Sequence, residues 1–184
     1  MTHHTGDAGS DVAALIASHL RDVPDFPRPG IVFKDITGLL ADGAAFAKAI
    51  TCLATAAKGA DIVVGIEARG FVVAAALAHE LGCGLVLVRK AGKLPPPTLR
   101  RRYELEYGTA EIEVPIGPLD GSRVYLVDDI LATGGTILAA TDLITAAGGD
   151  VVGVGLLLEL GFLHGRGRLT TARLTAPLTA LLSV

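Results

Sequence analysis

The chain alternates short apolar runs with longer stretches in which apolar residues return every three or four positions. Asp61–Ile66, Leu85–Val88, Val124–Val127 and Val151–Leu158 are dense in Val, Ile and Leu and show little polar alternation. Such runs predict strands buried on both faces. Val12 to Leu20, Ala44 to Ala57, Phe71 to Glu80 and the stretch opening Thr136-Ile137-Leu138-Ala139-Ala140 have helical spacing instead. Ser10 or Asp11 is placed to cap the first of these helices, and Gly59, Gly82 and Gly148-Gly149 to end the other three. Tyr103–Gly108 and Ala110–Val114 alternate with period two around Gly108, which predicts a hairpin flap with one wet face. Ala176 to Val184 can add a short last strand. Strands and helices in this succession predict an α/β fold, a mainly parallel sheet flanked by helices.

Prolines and charges interrupt the pattern. Pro24, Pro27 and Pro29 exclude regular structure around them and make residues 25–36 a stiffened arm returning to the sheet. Its Val32-Phe33 pair fits either a flat heterocycle or ordinary core packing. Lys93–Arg102 is a basic, proline-containing loop, to be read as a lid or as a solvated or dimer-facing surface. Pro115–Gly121 is a turn, and Gly165-Arg166-Gly167-Arg168 is basic and flexible.

At 184 residues the chain fits one domain, residues 1–184, with a tail and helix over 1–24 and the arm over 25–36. It is 51% hydrophobic but only 4% aromatic, so its core is aliphatic. A net charge of -3 argues against non-specific nucleic-acid binding. Cys52 and Cys83, inside apolar segments, read as reduced, buried thiols of a cytosolic protein. No apolar run reaches membrane-spanning length, and Met1–Gly6 has no hydrophobic signal region. His3 and His4 belong to a frayed polar end.

The chemistry concentrates in Val127-Asp128-Asp129-Ile130-Leu131-Ala132-Thr133-Gly134-Gly135-Thr136. Here a strand should end at two carboxylates and hand over, through small residues, to a helix. Gly134 and Gly135 let backbone N–H groups close on an anion, the helix start adds positive partial charge, and Thr133 and Thr136 offer hydroxyls. The loop therefore suits a phosphate. Asp128 and Asp129 would repel one, but they suit the hydroxyls of a sugar carried beside it. The stretch is neither a Walker A loop nor a dinucleotide fingerprint. Glu67-Ala68-Arg69-Gly70 forms a second strand–loop–helix junction, where an arginine can fork onto phosphate.

The Val127–Thr136 stretch resembles the phosphoribosyl-diphosphate (PRPP) signature of the type I phosphoribosyltransferases. Five further segments resemble one branch of them, the adenine phosphoribosyltransferases, in order and spacing: 25–36, Glu67–Phe71, Val88–Pro95, Leu105–Gly108 and Glu159-Leu160. The resemblance implies a Rossmann-like fold with a small hood from the arm and a flexible flap. It implies transfer of the phosphoribosyl group from PRPP to adenine, giving AMP and diphosphate with Mg²⁺, in a cytoplasmic homodimer with no nucleic-acid or membrane partner. Asp128 and Asp129 would hold the ribose, and Ala132, Thr133, Gly134, Gly135 and Thr136 the 5′-phosphate. Arg69, Lys90 and Lys93 would clamp the diphosphate, with Arg89 reaching a neighbouring subunit. Phe33 would stack on adenine against Ile130, with the Val32 backbone reading the base edge and Lys34 beside the pocket. Glu106 would move the proton at the purine N7; the pattern alone does not separate it from Glu104, Glu111 and Glu113. The resemblance also implies a cis peptide between Glu67 and Ala68, and direct protein ligands are not assigned to the metal. Two departures stand out: Lys34 replaces the usual arginine, and Pro96 a glycine. A hypoxanthine or orotate enzyme would build its base pocket elsewhere than on this arm. A PRPP-sensing regulator would bring a DNA-binding segment.

Overall fold

The structure, a computed structural model, describes residues 7–105 and 108–184. After a first helix, α1 (Asp7–His19), the chain forms β1 (Arg21–Pro24), β2 (Val32–Asp35), α2 (Thr37–Ala41), α3 (Gly43–Ala56), β3 (Ile62–Ile66) and α4 (Gly70–Leu81). Then come β4 (Gly84–Lys90), β5 (Thr98–Leu105), β6 (Gly108–Pro115), β7 (Arg123–Leu131), α5 (Gly135–Ala146), β8 (Asp150–Glu159), α6 (Gly165–Thr171) and β9 (Leu178–Ser183).

Seven strands form one sheet in the order β5-β6-β4-β3-β7-β8-β9. The pairs β3–β4, β3–β7, β7–β8 and β8–β9 are parallel, and the β5–β6 hairpin joins β4 antiparallel. Side chains of successive residues enter opposite layers. Val64, Leu126 and Leu156 pack with Ile137 and Leu143 of α5, while Val63, Tyr125 and Leu157 pack with Leu53 of α3 and Val73 of α4. Because both faces are covered, the strands lack polar alternation. From β3 the chain crosses through α4 to β4 on one side; from β7 it crosses through α5 to β8 on the other. The carboxyl ends of β3 and β7 thus flank the crevice where α/β sheets bind ligands.

Tyr125 occupies a groove made by two glycines of the neighbouring strand. A Cβ on Gly153 would lie 2.5 Å from its Cε2, and one on Gly155 2.6 Å from its Cε1. Among the described residues its hydroxyl is buried with no well-aligned hydrogen-bond partner.

Several expectations need correction. The first helix begins at Asp7, so Ser10 and Asp11 lie inside it. The arm is not irregular throughout: β1 and β2 pair antiparallel from Arg21↔Asp35 to Pro24↔Val32. A two-stranded ribbon has only edges, so Pro24 need not donate to a ladder. Asp25 closes the turn by accepting from the Gly30 N–H at 2.7 Å. Thr98–Arg102 belong to β5, which shortens the basic loop to residues 91–97. β7 continues through both aspartates, because β8 pairs with it as far as Leu131↔Glu159. The Gly165–Arg168 stretch is helical: Arg166 donates from Nε and Nη2 to the Glu159 carboxylate at 2.6–3.1 Å. Cys52 and Cys83 are free thiols but only half-buried.

Candidate active site

β7 delivers Asp128, Asp129 and Ile130 to the crevice, and a three-residue turn, Ala132–Gly134, leads to α5. Gly134 has φ +82°, a conformation that suits glycine. Against this turn lies the start of α6: a Cβ on Gly165 would collide with the Ala132 carbonyl oxygen. The result is a pocket of about 70 Å³ lined by Asp128 and residues Ile130 to Ile137. The first N–H groups of a helix have no partner within it and carry positive partial charge. The floor of this pocket therefore suits an anion. The Thr136 hydroxyl, at its rim, lies 3.4 Å from the Tyr103 hydroxyl of the hairpin.

The two aspartates are not equivalent. Asp129 is 6% exposed, and its Oδ2 lies 2.7 Å from Arg69 Nη2 without a well-aligned hydrogen bond. Asp128 accepts from the Asp129 N–H at 2.9 Å. Burial first, and then the charge of Asp129, push its carboxyl well above the usual carboxylate range. Two acids held this close, with an ion pair only at Asp129, are short of donors among the described residues. Gly70 allows the crowding: a Cβ there would lie 2.8 Å from Asp128 Oδ1.

Arg69 follows the cis peptide between Glu67 and Ala68, as the resemblance implied. Its guanidinium also lies over the Phe33 ring, 4.9 Å from the centroid. Arg69 thus joins the acid pair to the arm. Glu67 accepts from the Lys90 N–H at 2.9 Å and from Arg89 Nε at 3.2 Å; the Lys90 N–H is the main reason its carboxyl is held low, against burial. Arg89 further donates to the Lys93 carbonyl at 3.2 Å and lies 5.8 Å from the Phe71 ring centroid. Lys90, at the end of β4, and Lys93, in the loop that follows, are exposed.

On the arm, Phe26 meets Phe33 edge-on, with centroids 5.2 Å apart. Val32 is half exposed. Lys34 does not present a free ammonium: its Nζ donates to both carboxylate oxygens of Asp22 at 2.8 Å, across the hairpin. Asp35, bound by Arg21 on the same ribbon, is lowered to about 2, first by the Thr37 hydroxyl, then by the Thr37 N–H and Arg21.

The crevice thus gathers Asp128, Asp129, the Ala132–Thr136 turn, Arg69 and Phe33, with Ile130 among the lining residues. Glu106 lies outside the described residues. Glu113 is fully buried rather than on a wet face. Its carboxylate accepts from the N–H groups of Lys93 and Leu94 at 2.7 and 2.8 Å, from the Thr98 hydroxyl at 3.2 Å and from Arg100 Nε at 3.0 Å. Burial opposes ionisation there, but the N–H groups of Leu94, Gly92 and Lys93 and the Thr98 hydroxyl outweigh it and hold the carboxyl at about 2. Neither this buried role of Glu113 nor the Tyr103–Thr136 and Glu159–Arg166 contacts is visible in the sequence pattern. The one available signal was a lone carboxylate between Ile112 and Val114.

Residues 35–167 match the phosphoribosyl transferase domain family. The adenine phosphoribosyltransferase of Streptomyces coelicolor is 54% identical over 187 aligned positions, covering all of both chains. The chain belongs to the adenine phosphoribosyltransferase family. Solved members share the architecture. The Rhodothermus marinus adenine phosphoribosyltransferase is 44% identical with a TM-score of 0.88, covering 95% of this chain and 99% of its own. The Saccharomyces cerevisiae enzyme, complexed with an imino-altritol bisphosphate and adenine, is 36% identical with a TM-score of 0.87, covering 94% and 99%. The helix-flanked sheet is common to these structures and this chain.

Proposed function

We propose that the crevice transfers the 5-phosphoribosyl group from PRPP to adenine, giving AMP and diphosphate in purine salvage. One observation carries this reading: an anion-binding turn at a helix start stands beside a donor-poor acid pair, and Arg69 links that pair to an aromatic arm. A sugar phosphate meets both needs. The 5′-phosphate takes the N–H groups of Ala132–Thr136 and the Thr133 and Thr136 hydroxyls. The ribose hydroxyls donate to Asp128 and Asp129, replacing the imperfect contact with Arg69. Arg69, thus released, turns to the diphosphate with Lys90 and Lys93.

The bond from the ribose anomeric carbon to diphosphate breaks with oxocarbenium-like charge on the sugar. This chain contributes by holding the partners in line and by offering cations to the departing diphosphate. Adenine lies against Phe33, opposite Ile130, and the N–H and C=O of Val32 read its edge. A 6-oxo purine would leave that carbonyl unpaired. Glu106 takes the role of proton transfer at N7.

Magnesium belongs to this reading as the counter-ion of PRPP. Among the described residues no group of three or more His, Cys, Asp or Glu stands together as a metal cage. Asp128 and Asp129 are the carboxylates that would stand beside such an ion if it entered the site with PRPP. Such an ion would neutralise charge on the diphosphate. A homodimer working in the cytoplasm completes the proposal. In that dimer Arg89, which within its own subunit donates to Glu67 and to the Lys93 carbonyl, reaches the neighbouring subunit's site. Among the described residues no helix is long and apolar enough to cross a membrane.

A paired assay tests the function. With PRPP and Mg²⁺, adenine should be turned over and hypoxanthine should not. Equal turnover of both bases, or binding of PRPP without AMP formation, would overturn it.

A further inference from the structure

We propose that Glu113 is a positioning residue for the reaction, a buried anchor that ties the diphosphate loop to the flap hairpin. The inference rests on the reading of Lys90 and Lys93 as part of the diphosphate clamp. Glu113 lies on β6 where that strand meets β4 on one side and β5 on the other, opposite Arg89 and Arg100 respectively. From there it reaches both segments whose placement matters. One carboxylate oxygen accepts the consecutive N–H groups of Lys93 and Leu94, in the loop between β4 and β5. The other accepts from Thr98 and Arg100, at the base of the flap strand.

The anchor continues into the site. Lys93 gives its carbonyl to Arg89, Arg89 gives its Nε to Glu67, and Glu67 precedes Ala68 and Arg69 in the turn. Glu113 therefore fixes a path from the flap, through the loop, to the turn that carries Arg69. The Glu113 side chain itself is 0% exposed and stands under the loop, so it touches the loop backbone and not a ligand. Its effect on PRPP runs through the loop, by way of Lys93 and by way of the Arg89–Glu67 contact to the Arg69 turn. Two consecutive N–H groups on one oxygen fix the peptide planes of residues 92–94 and so the direction in which Lys93 leaves the backbone. Without that oxygen the 91–97 loop keeps the Ala91 N–H to Glu111 carbonyl bond, the Ile116 N–H to Pro97 carbonyl bond, its own internal turn and the Arg89 bond to the Lys93 carbonyl, but the N–H groups of Lys93 and Leu94 lose their tie to β6.

Glu113→Gln tests this, because the amide keeps the volume but exchanges one accepting oxygen for a donor. Charge-assisted hydrogen bonds of this kind are worth enough for roughly a tenfold change or more. The expected result is a KM for PRPP, and for diphosphate in the reverse reaction, raised about tenfold, with the KM for adenine and the affinity for AMP within about twofold of the parent. AMP lacks the diphosphate and serves as the internal control. Glu113→Asp, which keeps the charge, should recover part of the loss. Equal losses for AMP and PRPP would mark a merely structural role and overturn the inference, as would an unchanged KM for both PRPP and diphosphate in a folded protein. If Glu113→Gln does not fold, Thr98→Val and Arg100→Gln each remove one donor from outside the core, and the same contrast between AMP and diphosphate applies to them. Lys93→Ala separates the two readings. If it leaves the diphosphate KM unchanged while Glu113→Gln raises it, the lysine clamp fails but the anchor stands. If Lys93→Ala raises it and Glu113→Gln does not, the anchor fails and the clamp stands.

Discussion

The sugar-phosphate half of the crevice and the base half are built in different ways. The first hangs on β7, whose neighbours β3 and β8 bury it on both edges, and its turn is wedged against α6 by Gly134 and Gly165. The second hangs on a two-stranded ribbon outside the main sheet, tied by Arg21–Asp35 and Lys34–Asp22. Groups in the first half are short of donors and fixed in place. Those in the second are satisfied already, by charge pairs at or near the surface, which contribute little to stability. Hence binding of PRPP should be all-or-nothing with respect to single groups, and binding of the base should be graded.

The sharpest way to break that contrast is Asp128→Asn combined with Asp129→Asn. Each carboxylate bond to a hydroxyl is worth about 1.5–3 kcal/mol, so PRPP affinity should fall by about a hundredfold to ten-thousandfold. Calorimetric titration with PRPP measures it, and unchanged affinity would remove the ribose assignment. The fold should survive, since the double change also removes like-charge repulsion. Gly165→Ala should follow closely. Its Cβ displaces the Ala132 carbonyl, and a shift near 1 Å in a positioning group can cost about a hundredfold. The loss should appear in the KM for PRPP and in AMP affinity alike.

Acid should act on the same half. Asp128 has a raised pKa in the folded chain, so its ionised form lowers stability at pH above that value and the penalty is relieved as pH falls through it. Ribose hydroxyls need the ionised form. PRPP affinity should therefore drop as pH falls through the raised pKa, and binding there should release a proton. Titration in buffers of different ionisation enthalpy detects the release; zero proton exchange at every pH would contradict it.

The base half should respond less. Phe33→Ala removes a stacking face worth about 1–3 kcal/mol, so the KM for adenine should rise at least about fivefold while that for PRPP holds. Smallest of all, Asp22→Asn frees the Lys34 ammonium. Because Asp22 lies at the surface, the change should alter the adenine KM by less than about fivefold, and less still at high salt. A larger effect than that of Phe33→Ala would show that the ribbon, not the aromatic face, sets base affinity.

The same contrast explains what the sequence disclosed. Val124–Val127 and the Gly134-Gly135 turn were legible because burial on both faces and a left-handed turn leave direct marks on residue choice. Asp128 and Asp129 misled only in extent. Carboxylates usually stop a strand, yet here β8 supplies ladder partners through Leu131, and the cost is set against ligand binding. The ribbon was hidden by Pro24, whose missing N–H is harmless at an edge. Glu113 was hidden because a period-two pattern fixes which residues share a face, not which face another segment will cover. That depended on the 91–97 loop folding back over β6, and nothing local to Glu113 announces it. Arg166 misled similarly: its neighbouring glycines read as slack, but Glu159, seven residues earlier, clamps it.

The groove that Gly153 and Gly155 make for Tyr125 constrains how this sheet can drift. Either glycine can gain a side chain only after the tyrosine ring has been trimmed, and the ring can return only after both positions are bare again. Substitutions at these three sites are thus order-dependent, and a library that varies them singly would score both glycines as intolerant while missing the combinations that survive.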